Sequence, residues 1–399
     1  MINRTAGPII QGLAQTHPVL TVTGPRQSGK TTLCRMVFPE KAYVNLENPA
    51  TRAFALDDPV AFLKQHHDGA IIDEIQRAPD LTSHIQAFLE DDVRPGLFIL
   101  TGSRQLEVMD AVSQSLAGRT ALVKLLPFSL DELAGNYETG SLDALIAKGF
   151  CPRIYDRGLD PAQALGDYFE TCVERDVRRV IQVKDLRSFE KFVRLCAARV
   201  GQLLNLTNLA DDTGISHTTA RAWMSVLEAM YVVFLLQPYY KNLGKRLIKS
   251  PKLYFYDVGL ASHLLGIEGE RHATGHPLRG NLIENLVVME VLKHRLHRGA
   301  KGPLSFYRDS AGHEVDLLVP IGPEVFPVEI KAGATFSPDY LKGLTAFSKA
   351  HHQPSGRGAV VYAGDAAQER HGILIHPAME IHALLDRLPL PGLQRPPPR

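Results

Sequence analysis

Short apolar runs alternate with segments of helical period over the first third of the chain. The apolar runs predict strands at Val19–Thr23, Ala42–Leu46, Ala70–Asp73, Leu97–Thr101 and Thr120–Leu125. Buried strands that alternate with amphipathic helices are typical of a parallel sheet covered by helices. This pattern therefore predicts an α/β domain, which we place at residues 1–135.

Turn-forming residues are frequent between 126 and 165, and the pattern then becomes helical. Helical periods fill residues 168–183 and 188–204, and a shorter pair of helices ends in an apolar run at 229–239. We interpret residues 136–270 as a helical middle domain.

The last third of the chain returns to an α/β pattern. A long helix is predicted from Asn281 to Arg298, followed by strands, a helix around Tyr340–Ser348 and a final strand at 358–364. This order predicts a further α/β domain at residues 271–387. Residues 388–399 are rich in proline, which predicts a disordered or extended tail.

Composition and charge narrow the class of protein. The chain has 44 basic and 43 acidic residues, so a nucleic-acid surface must be a local patch. Its four cysteines form neither a CxxC pair nor a zinc-binding spacing, which indicates reduced thiols in a cytoplasmic protein. We expect no membrane segment, because no window of about twenty apolar residues occurs.

The most informative motif follows the first predicted strand. Residues 24–31 read Gly-Pro-Arg-Gln-Ser-Gly-Lys-Thr, which is the phosphate-loop pattern. Its glycines let backbone N–H groups face phosphate, and the start of the next helix favours anions. The alternative is a glycine-rich turn with a surface lysine. We expect a nucleoside triphosphate to be bound by Gly24, Pro25, Arg26, Gln27, Ser28, Gly29, Lys30, Thr31 and Thr32.

A phosphate loop needs a metal-holding carboxylate, and the predicted strand at residues 70–73 ends in Asp73-Glu74. We expect Asp73 and Thr31 to hold Mg²⁺ and Lys30 to reach the β- and γ-phosphates. Glu74 would orient and polarise the attacking water. The alternative for Asp73 and Glu74 is an ordinary charge pair at a strand end.

The next strand continues into Thr101, Gly102 and Ser103. A polar group at this position would sit between the two motifs and sense the γ-phosphate, and the sequence leaves open which hydroxyl points inward. Arg104 and Arg119 follow. Each is a candidate cation for the transferred phosphoryl group, within the chain or on a neighbouring subunit, and the alternative for each is a surface arginine.

Several stretches, GPRQSGKTTL, YVNLENP, IIDEIQRAPDL, ILTGSRQ and SLAGRTALVKLLPFSLDEL, resemble the AAA-type ATPase family commonly fused to DUF4143. The segment SPKLYFYDVGLASHLLG and the residues that follow it resemble DUF4143 itself. The resemblance implies an ASCE-type P-loop NTPase sheet, with the acidic strand beside the phosphate-loop strand, and Mg²⁺-dependent ATP hydrolysis. It also implies a homo-oligomer with arginines acting across subunit interfaces.

The middle domain contains a segment with the layout of a helix-turn-helix. Ala210 allows close helix contact, Gly214 supplies a turn, and Ser216 can cap the second helix. This predicts a winged-helix-like module that binds DNA. The alternative is a lid or packing module in which Trp223 is buried.

Two groups of residues are candidates for DNA contact. The start of the second helix would meet base edges through His217, Thr218, Thr219 and Arg221. A basic stretch could form a wing that grips phosphates through Lys241, Lys245, Arg246, Lys249 and Lys252.

The C-terminal domain carries Glu284 on a predicted helix, Asp316 on a strand, and Glu329 and Lys331 on a later strand. This order resembles the PD-(D/E)xK nuclease superfamily. If the strands are adjacent, these residues converge on a second Mg²⁺ or Mn²⁺ site that could cleave DNA. The alternative is a nuclease-like fold that no longer cuts.

The sequence leaves three functions open. The first is an ATP-driven DNA-processing enzyme, and the second is an ATP-controlled switch that binds DNA or protein through a catalytically silent nuclease-like domain. The third is a transcriptional regulator, which would leave the carboxylates unexplained.

Overall fold

The computed structural model describes residues 2–103, 115–174, 177, 185–239, 250–300, 302–354 and 356–388. The chain divides into two compact units. The first unit contains residues 1–128, 229–231 and 296–299, and the second contains the rest.

The first unit is built on a five-stranded sheet. All neighbouring strands are parallel, in the order β2-β3-β4-β1-β5, so the predicted parallel α/β sheet is confirmed. Its elements are α1 (Gly7–Ala14), β1 (Val19–Thr23), α2 (Lys30–Val37), β2 (Ala42–Asn45), α3 (Pro49–Asp57), α4 (Pro59–Gln65), β3 (Ala70–Asp73), α5 (Leu81–Asp91), β4 (Phe98–Gly102) and β5 (Thr120–Lys124).

The core of this unit lies on both faces of the sheet. Ile71 and Ile99 pack with Leu33 of α2 on one face, whereas Ile72 and Leu100 pack on the other face. Every residue of β1, β3 and β4 is buried. Central strands covered on both sides explain why the sequence shows continuous apolar runs here rather than an alternation.

The predicted position of the acidic strand is wrong. β3, which ends at Asp73, is not beside the phosphate-loop strand β1, because β4 pairs with both of them. Thr101 on β4 therefore lies between the two motifs, as the sequence predicts.

The remaining elements belong mainly to the second unit, and part of the predicted helix at 168–183 lies outside the described residues. A π-helical turn spans Phe169–Glu174. The elements are α6 (Leu130–Leu133), α7 (Leu142–Lys148), α8 (Pro152–Arg157), α9 (Pro161–Tyr168), α10 (Leu186–Ala197), α11 (Leu206–Thr213), α12 (His217–Ala229), β6 (Val233–Pro238), β7 (Lys252–Phe255), α13 (Val258–Leu264), α14 (Glu270–Gly275), α15 (Arg279–His297), β8 (Ser305–Arg308), β9 (Glu314–Ile321), β10 (Glu324–Lys331), α16 (Lys342–His351), β11 (Ala359–Tyr362), β12 (Gln368–Arg370), β13 (Ile373–Pro377) and α17 (Ile381–Leu385).

The strands of the second unit form one mixed sheet in the order β12-β13-β11-β10-β9-β8-β6-β7. β9 and β10 are antiparallel neighbours, with Val328 opposite Leu317. The strand at Ala359–Tyr362 is not the final one, because β12 and β13 follow it. β6 and β7, which the sequence assigns to the middle domain, pair into this same sheet.

The turn between α11 and α12 forms as the sequence predicts. Gly214 has φ of +86°, a left-handed conformation that glycine adopts without a steric penalty. The Ser216 hydroxyl accepts a hydrogen bond from the Thr219 N–H at 3.1 Å and so caps α12. Among the described residues, no helix is long and apolar enough to cross a membrane.

Candidate nucleotide site and carboxylate cluster

The loop between β1 and α2 is held close to the end of β5. Gly24 has φ of +151°, and a Cβ atom there would lie 2.0 Å from the Leu125 carbonyl oxygen. Any side chain at position 24 would therefore displace the loop. Gly29, at the other end, has φ of +89° and directly precedes the first residue of α2.

Lys30 is buried under this loop. Its ammonium donates hydrogen bonds to the carbonyl oxygens of Gly24, at 3.0 Å, and Pro25, at 2.7 Å. Burial lowers the pKa of Lys30 to about 8, although Glu74 and Asp73 offset part of the decrease. The ammonium thus lies within the curve of the loop, where phosphate oxygens can replace the two carbonyls.

Ser28 also supports the prediction that this loop binds phosphate. Its hydroxyl oxygen is buried and has no hydrogen-bond partner among the described residues. Buried hydroxyl groups are normally paired, so a phosphate oxygen would satisfy this one.

Arg4 fixes the loop from beneath, and the sequence motif does not reveal it. Its guanidinium donates hydrogen bonds of 2.7 Å to the carbonyl oxygens of Ser28 and Leu126, and it lies 4.9 Å from the centre of the Phe128 ring. The only signal in the sequence is an arginine 20 residues before the motif.

Asp73 is the centre of a hydroxyl network. One carboxylate oxygen accepts hydrogen bonds from Thr31, at 2.9 Å, and Tyr43, at 2.7 Å, and the other accepts from Thr101. The sequence did not single out Tyr43. A carboxylate beside the threonine of the phosphate loop is the donor set that Mg²⁺ prefers, so these residues fit that ion.

Glu74 follows directly in a left-handed backbone conformation with φ of +60°. Its carboxylate accepts hydrogen bonds from Gln76 and from the Ser103 hydroxyl, at 3.3 Å. Burial raises the pKa of Glu74, while Lys30 and Arg26 offset part of the rise. Thr101 and Ser103 thus both point inward, toward Asp73 and Glu74 respectively.

The structure contradicts a role for Arg119 at the phosphates of its own chain. Arg119 precedes β5, and its carbonyl accepts a hydrogen bond from Val19, the first residue of β1. The phosphate loop follows the last residue of β1, so Arg119 lies at the opposite end of parallel strands. A role across a subunit interface stays a prediction, and Arg104 lies outside the described residues.

The predicted DNA-contact face of α12 is largely exposed. His217, Thr218 and Arg221 are exposed, and Thr219 is half-buried with its hydroxyl 2.8 Å from that of Ser216. Trp223, on the opposite face, is buried in edge contacts with Phe189 and Phe192 of α10. Trp223 is therefore buried on one face of α12 while the polar face of the same helix stays exposed.

The wing prediction has a different outcome. Lys241, Lys245, Arg246 and Lys249 lie outside the described residues. The prediction that Lys252 belongs to this surface is wrong, because only 3% of the residue is exposed.

The four candidate nuclease residues come together in the second unit. Lys331 lies 2.6 Å from Glu329 and 3.6 Å from Asp316, and the Ile330 N–H donates a 2.8 Å hydrogen bond to Asp316. Burial and the nearby Asp316 charge raise the pKa of both Glu284 and Glu329.

Lys252 joins this cluster, and sequence reasoning missed it. Its ammonium lies 2.8 Å from Glu284 and 3.5 Å from Asp316, and it also pairs with Glu314. Burial lowers the pKa of Lys252, but the surrounding carboxylates outweigh that effect and raise it. The signal in the sequence was a single lysine at the start of the apolar strand Lys252–Phe255.

Profiles of known families match most of the chain. Residues 16–134 match an AAA domain, residues 139–271 match a domain of unknown function, DUF8612, and residues 279–383 match another, DUF4143.

Two mycobacterial proteins are similar along most of their length. The uncharacterised proteins Rv2008c of Mycobacterium tuberculosis and Mb2031c of Mycobacterium bovis are each 33% identical over 337 residues, which span 83% of this chain and 74% of each relative. The chain belongs to their family. Its AAA and DUF4143 profiles confirm the resemblance to AAA-type P-loop ATPases fused to DUF4143.

Two solved structures are more distant. The Walker-type ATPase PABY2304 of Pyrococcus abyssi is 15% identical, with a TM-score of 0.44 over 65% of this chain and 94% of that chain. AMPPCP-bound DnaA of Aquifex aeolicus is 16% identical, with a TM-score of 0.29 over 56% of this chain and 85% of that chain. Both TM-scores are low.

Proposed function

We propose that this protein hydrolyses ATP with Mg²⁺ and couples hydrolysis to DNA binding. The observation that carries the proposal is the network at the end of the first sheet. There Asp73 accepts hydrogen bonds from Thr31 and Thr101, while Glu74 is held by Ser103 and Gln76.

Each residue has a separate task in this proposal. The loop N–H groups and Lys30 bind the phosphates, and Arg4 keeps the loop in place. Thr31 and Asp73 hold Mg²⁺, which neutralises charge on the phosphates when bound. Glu74 accepts the proton of the attacking water, and Thr101 and Ser103 orient the two carboxylates.

Hydrolysis at this site is tested by phosphate release from purified full-length protein with ATP and Mg²⁺. Lys30→Ala should abolish release, and EDTA should do the same to the wild type. Lys41→Ala is a matched control, because Lys41 lies in the same unit and bonds to the Leu97 carbonyl rather than to the loop. Equal rates in wild type and Lys30→Ala would exclude this site.

DNA binding is supported by the exposed face of α12 and the order helix, turn, helix and two antiparallel strands, which is that of a winged helix. Arg221 lies on the face that is predicted to meet base edges, and loss of one base contact typically costs about 1–3 kcal/mol and relaxes sequence preference. We therefore expect Arg221→Ala to weaken binding to duplex DNA and to reduce its sequence preference. Arg187→Ala, an exposed arginine on α10, should change neither.

The second candidate is an ATP-controlled switch whose PD-(D/E)xK-like domain is catalytically silent. The observation that favours it is the pairing of Glu284, Asp316 and Glu329 with lysine side chains. Incubation of DNA with the protein in Mg²⁺ or Mn²⁺ is expected to leave the DNA intact. Cleavage that is lost in Glu329→Ala would favour the DNA-processing enzyme instead.

A further inference from the structure

The carboxylate cluster of the second unit surrounds a buried ammonium. Lys252 lies 2.8 Å from Glu284 Oε1 and 3.5 Å from Asp316 Oδ1, and it also contacts Glu314 Oε1. These carboxylates come from one helix and one strand, α15 and β9. A cation among converging carboxylate oxygens is the arrangement in which proteins bind divalent metals.

Both oxygens of Asp316 face a positive charge in this arrangement. Lys252 faces Oδ1, whereas Oδ2 accepts the Ile330 N–H at 2.8 Å and faces Lys331 at 3.6 Å. With Lys252 among these carboxylates, the described part of the chain contains no group of three or more His, Cys, Asp or Glu side chains arranged to hold a metal ion.

Lys252 is also fixed in place. It is 3% exposed, it is the first residue of β7, and its ammonium lies 5.6 Å from the centre of the Phe306 ring. The Tyr254 hydroxyl donates a 2.6 Å hydrogen bond to the same Glu284 oxygen that Lys252 contacts. The lysine is therefore part of the packed interior. Burial of an ammonium is costly, so its charge must be paired there.

We propose that Lys252 is a built-in cation that takes the place of a divalent metal, and that removing its ammonium converts the cluster into a metal site. The inference rests on the second candidate function, the silent nuclease-like domain. One oxygen of Glu329 would be available to such a metal, because its Oε2 is buried and accepts no hydrogen bond from the described residues.

The test is Mn²⁺ binding by the full-length protein without nucleotide, measured by the loss of the free Mn²⁺ signal in electron paramagnetic resonance. Lys252→Met should bind Mn²⁺ at least about tenfold more tightly than the wild type, since Glu284, Glu314 and Asp316 lose the ammonium that offsets their negative charge. Mn²⁺ should also raise its melting temperature above that in EDTA. Lys293→Met is the matched control, because Lys293 is also buried but pairs with Glu290, which is not part of the cluster.

Several results would overturn the inference. One is a folded Lys252→Met that binds Mn²⁺ no better than wild type. If this variant does not fold, the comparison is between the wild type and Asp316→Asn. Equal Mn²⁺ binding by these two proteins supports an internal cation. Weaker Mn²⁺ binding by Asp316→Asn overturns the inference. Failure of the proposed silent-domain function gives a different result from failure of this inference. It appears as metal-dependent DNA cleavage by the wild type, which is measured without any Lys252 variant.

Discussion

Asp73 and Glu74 are neighbours in the sequence but have different surroundings. Asp73 accepts hydrogen bonds from Thr31, Tyr43 and Thr101, whereas Glu74 turns away in a left-handed conformation toward Ser103. This divergence separates a metal-holding carboxylate from one that can accept a proton from water.

Glu74→Gln should therefore separate ATP binding from hydrolysis. The amide cannot accept a proton, so the turnover rate should fall by about 10²–10⁴-fold while ATP affinity stays close to that of the wild type. Phosphate release and fluorescent-nucleotide binding measure the two quantities. Glu47→Gln is the control, because Glu47 is a more exposed carboxylate in the same unit, and it should change neither quantity. Wild-type turnover in Glu74→Gln would show that Glu74 does not take part in the mechanism.

The sequence could predict motif residues but not their distant partners. Gly24 to Thr32, Asp73 and Glu74 were predicted because their spacing reflects a local backbone shape. The sequence did not predict the roles of Arg4 and Lys252, because each contacts residues far along the chain. Arg4 bonds to Leu126, and Lys252 contacts Asp316.

Among the elements, helix α15 is unusual because it is buried on nearly all sides although it carries many polar residues. Those residues are paired. Asn285 bonds with both the N–H and the carbonyl of Phe255, and Glu290 bonds with Lys293 and His382. A polar residue can be buried in this way when its hydrogen bonds are satisfied.

Glu290 makes stability depend on pH. Burial alone raises its pKa, but Lys293 and His382 outweigh this and lower the pKa to about 2, from 4.5. The carboxylate thus contributes stability that is fully present above pH 4.5 and is lost as pH falls toward 2.

Glu290→Gln should lower the free energy of unfolding by about 3–5 kcal/mol at neutral pH, because it removes the carboxylate that lies 2.7 Å from the buried Lys293 ammonium. The difference from wild type should shrink as pH falls from 4.5 toward 2, because the unfolded wild-type chain then binds the proton more readily than the folded one. Urea unfolding at a series of pH values measures this. A constant difference between pH 7 and pH 3 would contradict the assignment.

At the scale of the whole molecule, strand and helix positions were largely predictable, but strand neighbours were not. The apolar runs marked β1 to β5 within a residue or two, since burial on both faces leaves a clear signal. The insertion of β4 between β1 and β3, and the joining of β6 and β7 to the C-terminal sheet, depend on long-range pairing that local patterns do not record. The homo-oligomer and the cytoplasmic location stay predictions.

Tyr231 offers a route for the proposed coupling. It follows α12 by two residues, and its hydroxyl lies 3.0 Å from that of Thr23, which directly precedes the phosphate loop. We expect Tyr231→Phe to keep basal ATP hydrolysis but to reduce its stimulation by DNA. Thr21→Val is a suitable control, because Thr21 on the same strand bonds to Thr120 instead. Full stimulation in Tyr231→Phe would exclude this route.

The most direct test of the central claim is steady-state ATP hydrolysis with and without duplex DNA, in Mg²⁺, by wild type and Lys30→Ala. We predict that the wild type releases phosphate, that DNA increases the rate, and that Lys30→Ala is inactive under both conditions. A wild-type rate that DNA does not change, or that Lys30→Ala retains, would contradict an ATPase coupled to DNA through this site.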